Sequence, residues 1–180
     1  MRRLAFLALP LALAACNNEA DAPDAPAAEE TAAAETVEQA PEATLDLQAD
    51  GLVVPAQNGF EELSVPFGSN RAATEATLAN VLGEPVADNQ PNDCGLTTTS
   101  YEGMALHFRD DSFVGYYANA PYVPELTREE MLADPMVNAL DDTTIDGEFT
   151  IGDSPETLIS GVFVGDEVRA LWAGENCIAR

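Results

Sequence analysis

The 180-residue chain has no lysine, a single histidine, one tryptophan and three cysteines. Its seven basic residues are all arginine and stand against 32 acids, a formal net charge of −25. Phosphate contacts need basic surface, so the balance argues against nucleic-acid binding. It argues equally against docking on anionic lipid head groups. Acidity on this scale marks a soluble, self-repelling surface more often than a site. One histidine and the two cysteines that remain beside Cys16, expected to be oxidised, cannot build the usual zinc ligand sets. A G-x-S-x-G elbow and a glycine-rich phosphate loop are both missing. Long apolar runs are missing too: the longest, Leu4 to Ala15, is about 12 residues, where a spanning helix needs roughly 20.

That run is the informative part of the N-terminus. Arg2 and Arg3 precede it and the small residues Ala14 and Ala15 close it, which is the order of an export signal. Leu13-Ala14-Ala15-Cys16 resembles the lipobox of bacterial lipoproteins. The resemblance implies cleavage before Cys16, a diacylglyceryl group on its sulfur and an acyl chain on the new amino group. Several chains anchor a protein stably where one holds it only marginally. Asn17 follows the cysteine, not the aspartate that retains lipoproteins at the inner membrane. The expected address is therefore a periplasm-facing anchor, in the outer membrane rather than the inner. Loss of residues 1–15 removes Arg2 and Arg3 and no acid, leaving 32 acids against five arginines, a charge of −27.

Residues 17–43 hold ten alanines, eight acids, three prolines and no basic residue. Such a segment cannot bury enough apolar surface to offset its ordering entropy, so a disordered tether is expected over 16–43. A flexible chain of this length spans about 30 Å root-mean-square. From residue 44 the composition changes to Val, Leu, Phe, Tyr and glycine turns, and 44–180 has the size of one domain. With Cys16 lipidated, Cys94 and Cys177 remain as a pair, and in an oxidising compartment they are expected to form a disulfide. Closing that long loop contributes about 4–5 kcal/mol by chain-entropy arithmetic.

Local signals give the elements. Gly51 to Ala56 and Leu63 to Phe67 read as strands about the turn dipeptide Asn58-Gly59. RAATEATLANVL carries Leu78, Val81 and Leu82 at helical spacing, with Asn70 before it and Gly83 and Pro85 after. ADNQPND reads as a loop. Met104, Leu106 and Phe108 alternate along a strand that turns at Arg109-Asp110-Asp111-Ser112 and returns from Phe113 to Tyr117. Thr127-Arg128-Glu129-Glu130 is a capping box. Asp153-Ser154-Pro155-Glu156 reads as a second helix start after the strand Phe149–Ile151. Val162–Val164 and Val168–Trp172 form a last hairpin about Gly165-Asp166. The fold class is α+β: a small, mainly antiparallel sheet with helices on one face. VPFGSNRAATEATL and FTIGDSPETLIS share one plan, suggesting a degenerate duplication of a strand-helix-hairpin unit.

Candidate chemistry is sparse. His107 sits mid-strand, out of phase with the apolar face, and is expected on the more polar side. The acidic pairs Asp110-Asp111 and Asp141-Asp142 are adjacent in sequence, so their members point apart and cannot flank a bond as glycosidase carboxylates do. Calcium is the cation that ADNQPND and DDTTIDGE would suit, but neither has the EF-hand spacing, and no metal or cofactor is assigned. Asn176-Cys177 resembles the nucleophile region of aspartate-semialdehyde dehydrogenases. That activity is rejected, since the chain lacks the dinucleotide-binding glycine fingerprint, the length and a reduced thiol. Tyr116, Tyr117 and Tyr122 form an aromatic stretch suited to partner binding, with Tyr116 and Tyr117 on opposite faces of their strand.

LAAC, the acidic tether, FGS before a helix, LGEP, DCG, GMALHF, VGY and LWAGENC together resemble a group of short alphaproteobacterial envelope lipoproteins. The helix-plus-sheet plan also looks like periplasmic scaffold or inhibitor domains. These resemblances imply a periplasmic module and transfer no active-site residue. The expectation is a non-enzymatic, membrane-anchored lipoprotein presenting an acidic interaction module to a protein or envelope component. The alternative is a periplasmic hydrolase whose site is assembled from distant loops around His107. Labelled palmitate fed to cells should enter the chain, and Cys16→Ser should abolish the label and shift the protein out of the membrane fraction. Undiminished label in the variant would contradict the lipobox.

Overall fold

The computed structural model describes residues 45–57, 59, 61–155 and 157–178. The expected signal at 1–15, Cys16 and the tether at 16–43 lie outside the described residues. The elements in chain order are β1 Asp46–Gln48, β2 Gly51–Val54, β3 Leu63–Pro66, α1 Arg71–Leu82, β4 Ala87–Pro91, β5 Thr97–Tyr101 and β6 Met104–Arg109. They continue with β7 Ser112–Ala118, α2 Arg128–Leu132, β8 Val137–Ala139, β9 Glu148–Ile151, β10 Ile159–Val164 and β11 Glu167–Gly174. β1 to β3 make a small sheet, and the others make one eight-stranded sheet in the order β4-β5-β6-β7-β11-β10-β9-β8. Every pairing in both is antiparallel.

The protein is α+β, with its two helices and the small sheet packed on the same face of the large one. Leu78 and Leu82 of α1 join Leu52 and Val65 of the small sheet against Leu106, Phe108, Phe113 and Tyr116. Met131 of α2 packs with Phe149, Phe163 and Leu171. Leu171 and Ala173 lie two apart on β11, hence on one face, and belong to the two different clusters. One apolar face therefore serves both halves of the sheet.

Local chemistry explains the best-defined elements. Asn70 accepts from the backbone N–H groups of Ala72 and Ala73 at the start of α1, meeting two of the donors a helix leaves free. Gly83 closes it at φ 72°, donating its N–H to Ala79 O, a conformation that costs glycine little. Thr127 and Glu130 form the reciprocal capping box of α2. Asp110 and Asp111 both take positive φ in the β6–β7 turn, matching the twist of a tight hairpin.

Three expectations need correction. Among the described residues no helix follows Pro155: Ile159 pairs with Ile151 and makes β9 and β10 a hairpin. The connection is too short to hold a helix and return to that register. ADNQPND is not simply a loop; Ala87–Pro91 forms the edge strand β4, with irregular register between Ala87 and Gln90 and Asn89 at positive φ. An exposed, bulged edge ending in proline carries no apolar alternation for the sequence to display. The recurring plan also has other bounds. It is a helix followed by a four-stranded meander, α1 with β4–β7 and α2 with β8–β11, and the two meanders meet through their last strands.

The core makes a direct test possible. Phe149 is fully buried with its ring stacked on Phe163 at 4.1 Å. Phe149→Ala should cost about 3–5 kcal/mol in urea unfolding. Val164→Ala, at a side chain 62% exposed on the neighbouring hairpin, should stay within about 0.5 kcal/mol. Similar losses for both would contradict this core.

Candidate functional site

The second face of the large sheet carries neither a helix nor another sheet among the described residues. Register places one residue from every strand in a single row across that face: Ala87, Ser100, Ala105, Tyr117, Trp172, Ser160, Thr150 and Asn138. None is charged, although more than a sixth of the chain is acidic. Small and hydroxyl side chains flank a central aromatic pair, where Tyr117 stacks on Trp172 at 6.2 Å between centroids and 13° between planes. The pair bridges the strands that join the two halves. Trp172 is buried, and Tyr117, Ala105, Ser100 and Ser160 are half-buried.

Beside this row the C-terminal segment crosses the sheet. Glu175 donates its N–H to Val114 O at 2.8 Å, and its carboxylate accepts from Arg109 Nε at 2.9 Å and Nη2 at 2.6 Å. Asn176 donates its amide to Ala173 O at 2.8 Å. Cys177 then forms a disulfide with Cys94, Cα to Cα 5.7 Å, over a sequence separation of 83. The side chain of Asn92 accepts from the N–H groups of Cys94 and Leu96 and shapes the loop that offers Cys94. Gly115 is what lets the segment lie down: a Cβ there would collide with the backbone of Glu175.

His107 lies under this clasp, 8% exposed. The expectation of a less buried side is thus corrected: the face is polar, but the disulfide-held segment covers it at that point. The ring Nδ1 lies 3.0 Å from Thr98 Oγ1. Burial pushes the His107 pKa below its ordinary 6.5, and the approach of Asn176 works weakly against that. The approach is loose, since Asn176 Oδ1 is buried and meets no donor at hydrogen-bonding geometry. The hydroxyl beside the ring is a threonine in mid-strand, not a serine on a loop. A cavity of about 650 Å³ opens beside the segment, lined by Asn176, Ile178, Trp172 and Phe67 but not by His107 or Thr98.

The other predicted residues separate. Tyr116 is fully buried in the core with its hydroxyl donating to Gln48 O at 2.9 Å. Burial, and secondarily Asp50, push its pKa well above the phenol range. It belongs to no partner-binding patch. Tyr122 packs against the same core, its hydroxyl donating to Val81 O at 3.4 Å. Only Tyr117 of the three sits on the second face, as the alternation of Tyr116 and Tyr117 required. Trp172 escaped the sequence reading, and only the β7–β11 pairing brings it to Tyr117. No group of three or more His, Cys, Asp or Glu among the described residues could hold a metal ion.

No protein-family model matches the chain, and no curated protein or solved structure is significantly similar to it. Its chemistry has to be read from its own residues.

His107 gives a pH signature. The folded chain holds the ring neutral, while the unfolded chain protonates it near 6.5. The unfolded state therefore binds more protons as pH falls through 6.5, and stability declines until the folded pKa is passed. The urea midpoint should fall between about pH 8 and about pH 5.5, and His107→Gln should flatten that decline. An identical slope in the variant would exclude His107 as its source.

Proposed function

We propose that this chain is a lipid-anchored periplasmic interaction module that recognises a protein partner with the second face of its large sheet, and that it is not an enzyme. The reading rests on one observation: an uncharged row spanning all eight strands of a strongly acidic protein, centred on the Tyr117–Trp172 stack. Interfaces are depleted of charge at their centre and enriched in Tyr and Trp. The small flanking residues let a partner backbone or side chain approach the aromatic pair closely. The acidic remainder keeps the module soluble and repels other acidic surfaces. The lipobox supplies the anchor and the tether supplies reach, so the domain can meet a partner away from the bilayer.

Site-specific photocrosslinking in intact cells tests this. A photoreactive residue at Ala105 should yield a discrete adduct, and one at Val164, outside the row, should not. Tyr117→Ala should reduce the Ala105 adduct by about tenfold or more, the loss expected of a central aromatic contact. Equal adducts at both positions, or no effect of Tyr117→Ala, would refute the assignment.

A further inference from the structure

The clasp Glu175–Ile178 holds to the sheet through few contacts of its own. Its backbone tie to the neighbouring strand is the bond from Glu175 N–H to Val114 O at 2.8 Å. The Arg109–Glu175 pair is solvent-exposed on both sides, and pairs of that kind contribute little. The Asn176 amide donates to Ala173 O and Gly174 O, which belong to the same stretch of chain and travel with it. Glu175 and Cys177 are exposed, Asn176 and Ile178 are half-buried, and none of the four belongs to either core cluster. The remaining tie is the disulfide from Cys177 to Cys94.

The two ends of that bond are held unequally. Cys94 sits in a loop that Asn92 closes without help from Cys177. The Asn92 side chain accepts from the N–H groups of Cys94 and Leu96, and its own N–H donates to Leu96 O at 2.9 Å. Leu96 is buried and pins the loop to the domain. The clasp has no comparable anchor, so breaking the bond frees one side only. Segments with few buried contacts open locally while the rest of a domain stays folded. Both half-cystines are exposed, within reach of an attacking thiolate, and exposed disulfides are the ones that exchange readily.

Opening uncovers a particular place. Register sets Thr98 against His107 and His107 against Gly115, two residues along from Ser100, Ala105 and Tyr117 on the same face. We propose that the Cys94–Cys177 disulfide is a thiol-exchange site, and that its reduction by a dithiol opens the clasp and uncovers His107. One thiolate of the dithiol attacks a sulfur of the bond, which breaks and leaves a mixed disulfide. The second thiol then displaces the protein's cysteine. Two electrons and the reductant's two protons end on Cys94 and Cys177 as thiols, and the dithiol leaves as a disulfide. Docking and bond formation are linked, so whatever the docked clasp adds to the stability of the disulfide, the disulfide adds to docking. The device stands on these contacts and not on what the second face binds.

Dithiothreitol in native buffer should reduce the bond in the detergent-solubilised full chain without denaturant. The chain has a single histidine, so carbethoxylation by diethyl pyrocarbonate reports its exposure by peptide mass. With the freed thiols alkylated, His107 should react about tenfold faster or more than in the oxidised chain. Amide exchange should stay slow in β9 and β10, around the Phe149–Phe163 stack. Cys94→Ser with Cys177→Ser should show the fast reaction with no reductant present. Gly115→Ala places a Cβ against the Glu175 backbone. It should make the bond about tenfold easier to reduce at a fixed ratio of reduced to oxidised dithiothreitol. The proposal is overturned by a bond that native dithiothreitol leaves intact, or by a His107 still protected once both thiols are free. Loss of exchange protection in β9 and β10 together with β5 and β6, or an unchanged reduction equilibrium in Gly115→Ala, would overturn it equally.

Discussion

β7 and β11 lie side by side in a register that sets Gly115 against Gly174, Tyr116 against Ala173, Tyr117 against Trp172 and Ala118 against Leu171. This is the seam between two four-stranded meanders that would otherwise each end in an open edge. On one face it brings Ala118 and Ala173 into the cluster under α1 and Leu171 into the cluster under α2. On the other it stacks Tyr117 on Trp172. A slip of one residue would exchange the faces and put Trp172 into the core while expelling Leu171. The apolar requirement on one side thus fixes the aromatic pair on the other.

The same seam delivers the C-terminus to its clasp. β11 ends at Gly174 beside Gly115, and the next residues lie over β7 only because position 115 has no side chain. The Arg109–Glu175 pair is exposed on both sides, 45% and 50%, and such surface pairs contribute little. The disulfide to Cys94 therefore does most of the holding. Its consequence is local as well as global, since it turns a polar strand position into the buried, neutral His107.

Polar residues in the domain divide by what surrounds them. Along the second face the cross-strand row is free of charge. At the C-terminal end of α1 carboxylates outnumber the one arginine that threads between them and stacks over Phe108 at 4.5 Å. The uncharged row and the acid-rich end of α1 are thus two chemically distinct surfaces of one domain.

Much of the fold can be read from local sequence. Asn70, the Leu78–Leu82 spacing and Gly83 specify α1, Thr127 and Glu130 specify α2, and alternation specifies β6 and β7, because capping and periodicity act within a few residues. The disulfide also follows from cysteine arithmetic once Cys16 is set aside. The tertiary structure decided the rest. It made an edge strand of Ala87–Pro91 and abolished the helix expected after Pro155 by pairing Ile151 with Ile159. It sent Tyr116 into the core and brought Tyr117 to a tryptophan 55 positions away in the chain. The candidate face is of this second kind. The partners across β7–β11 lie far apart in sequence, and only strand register brings them together.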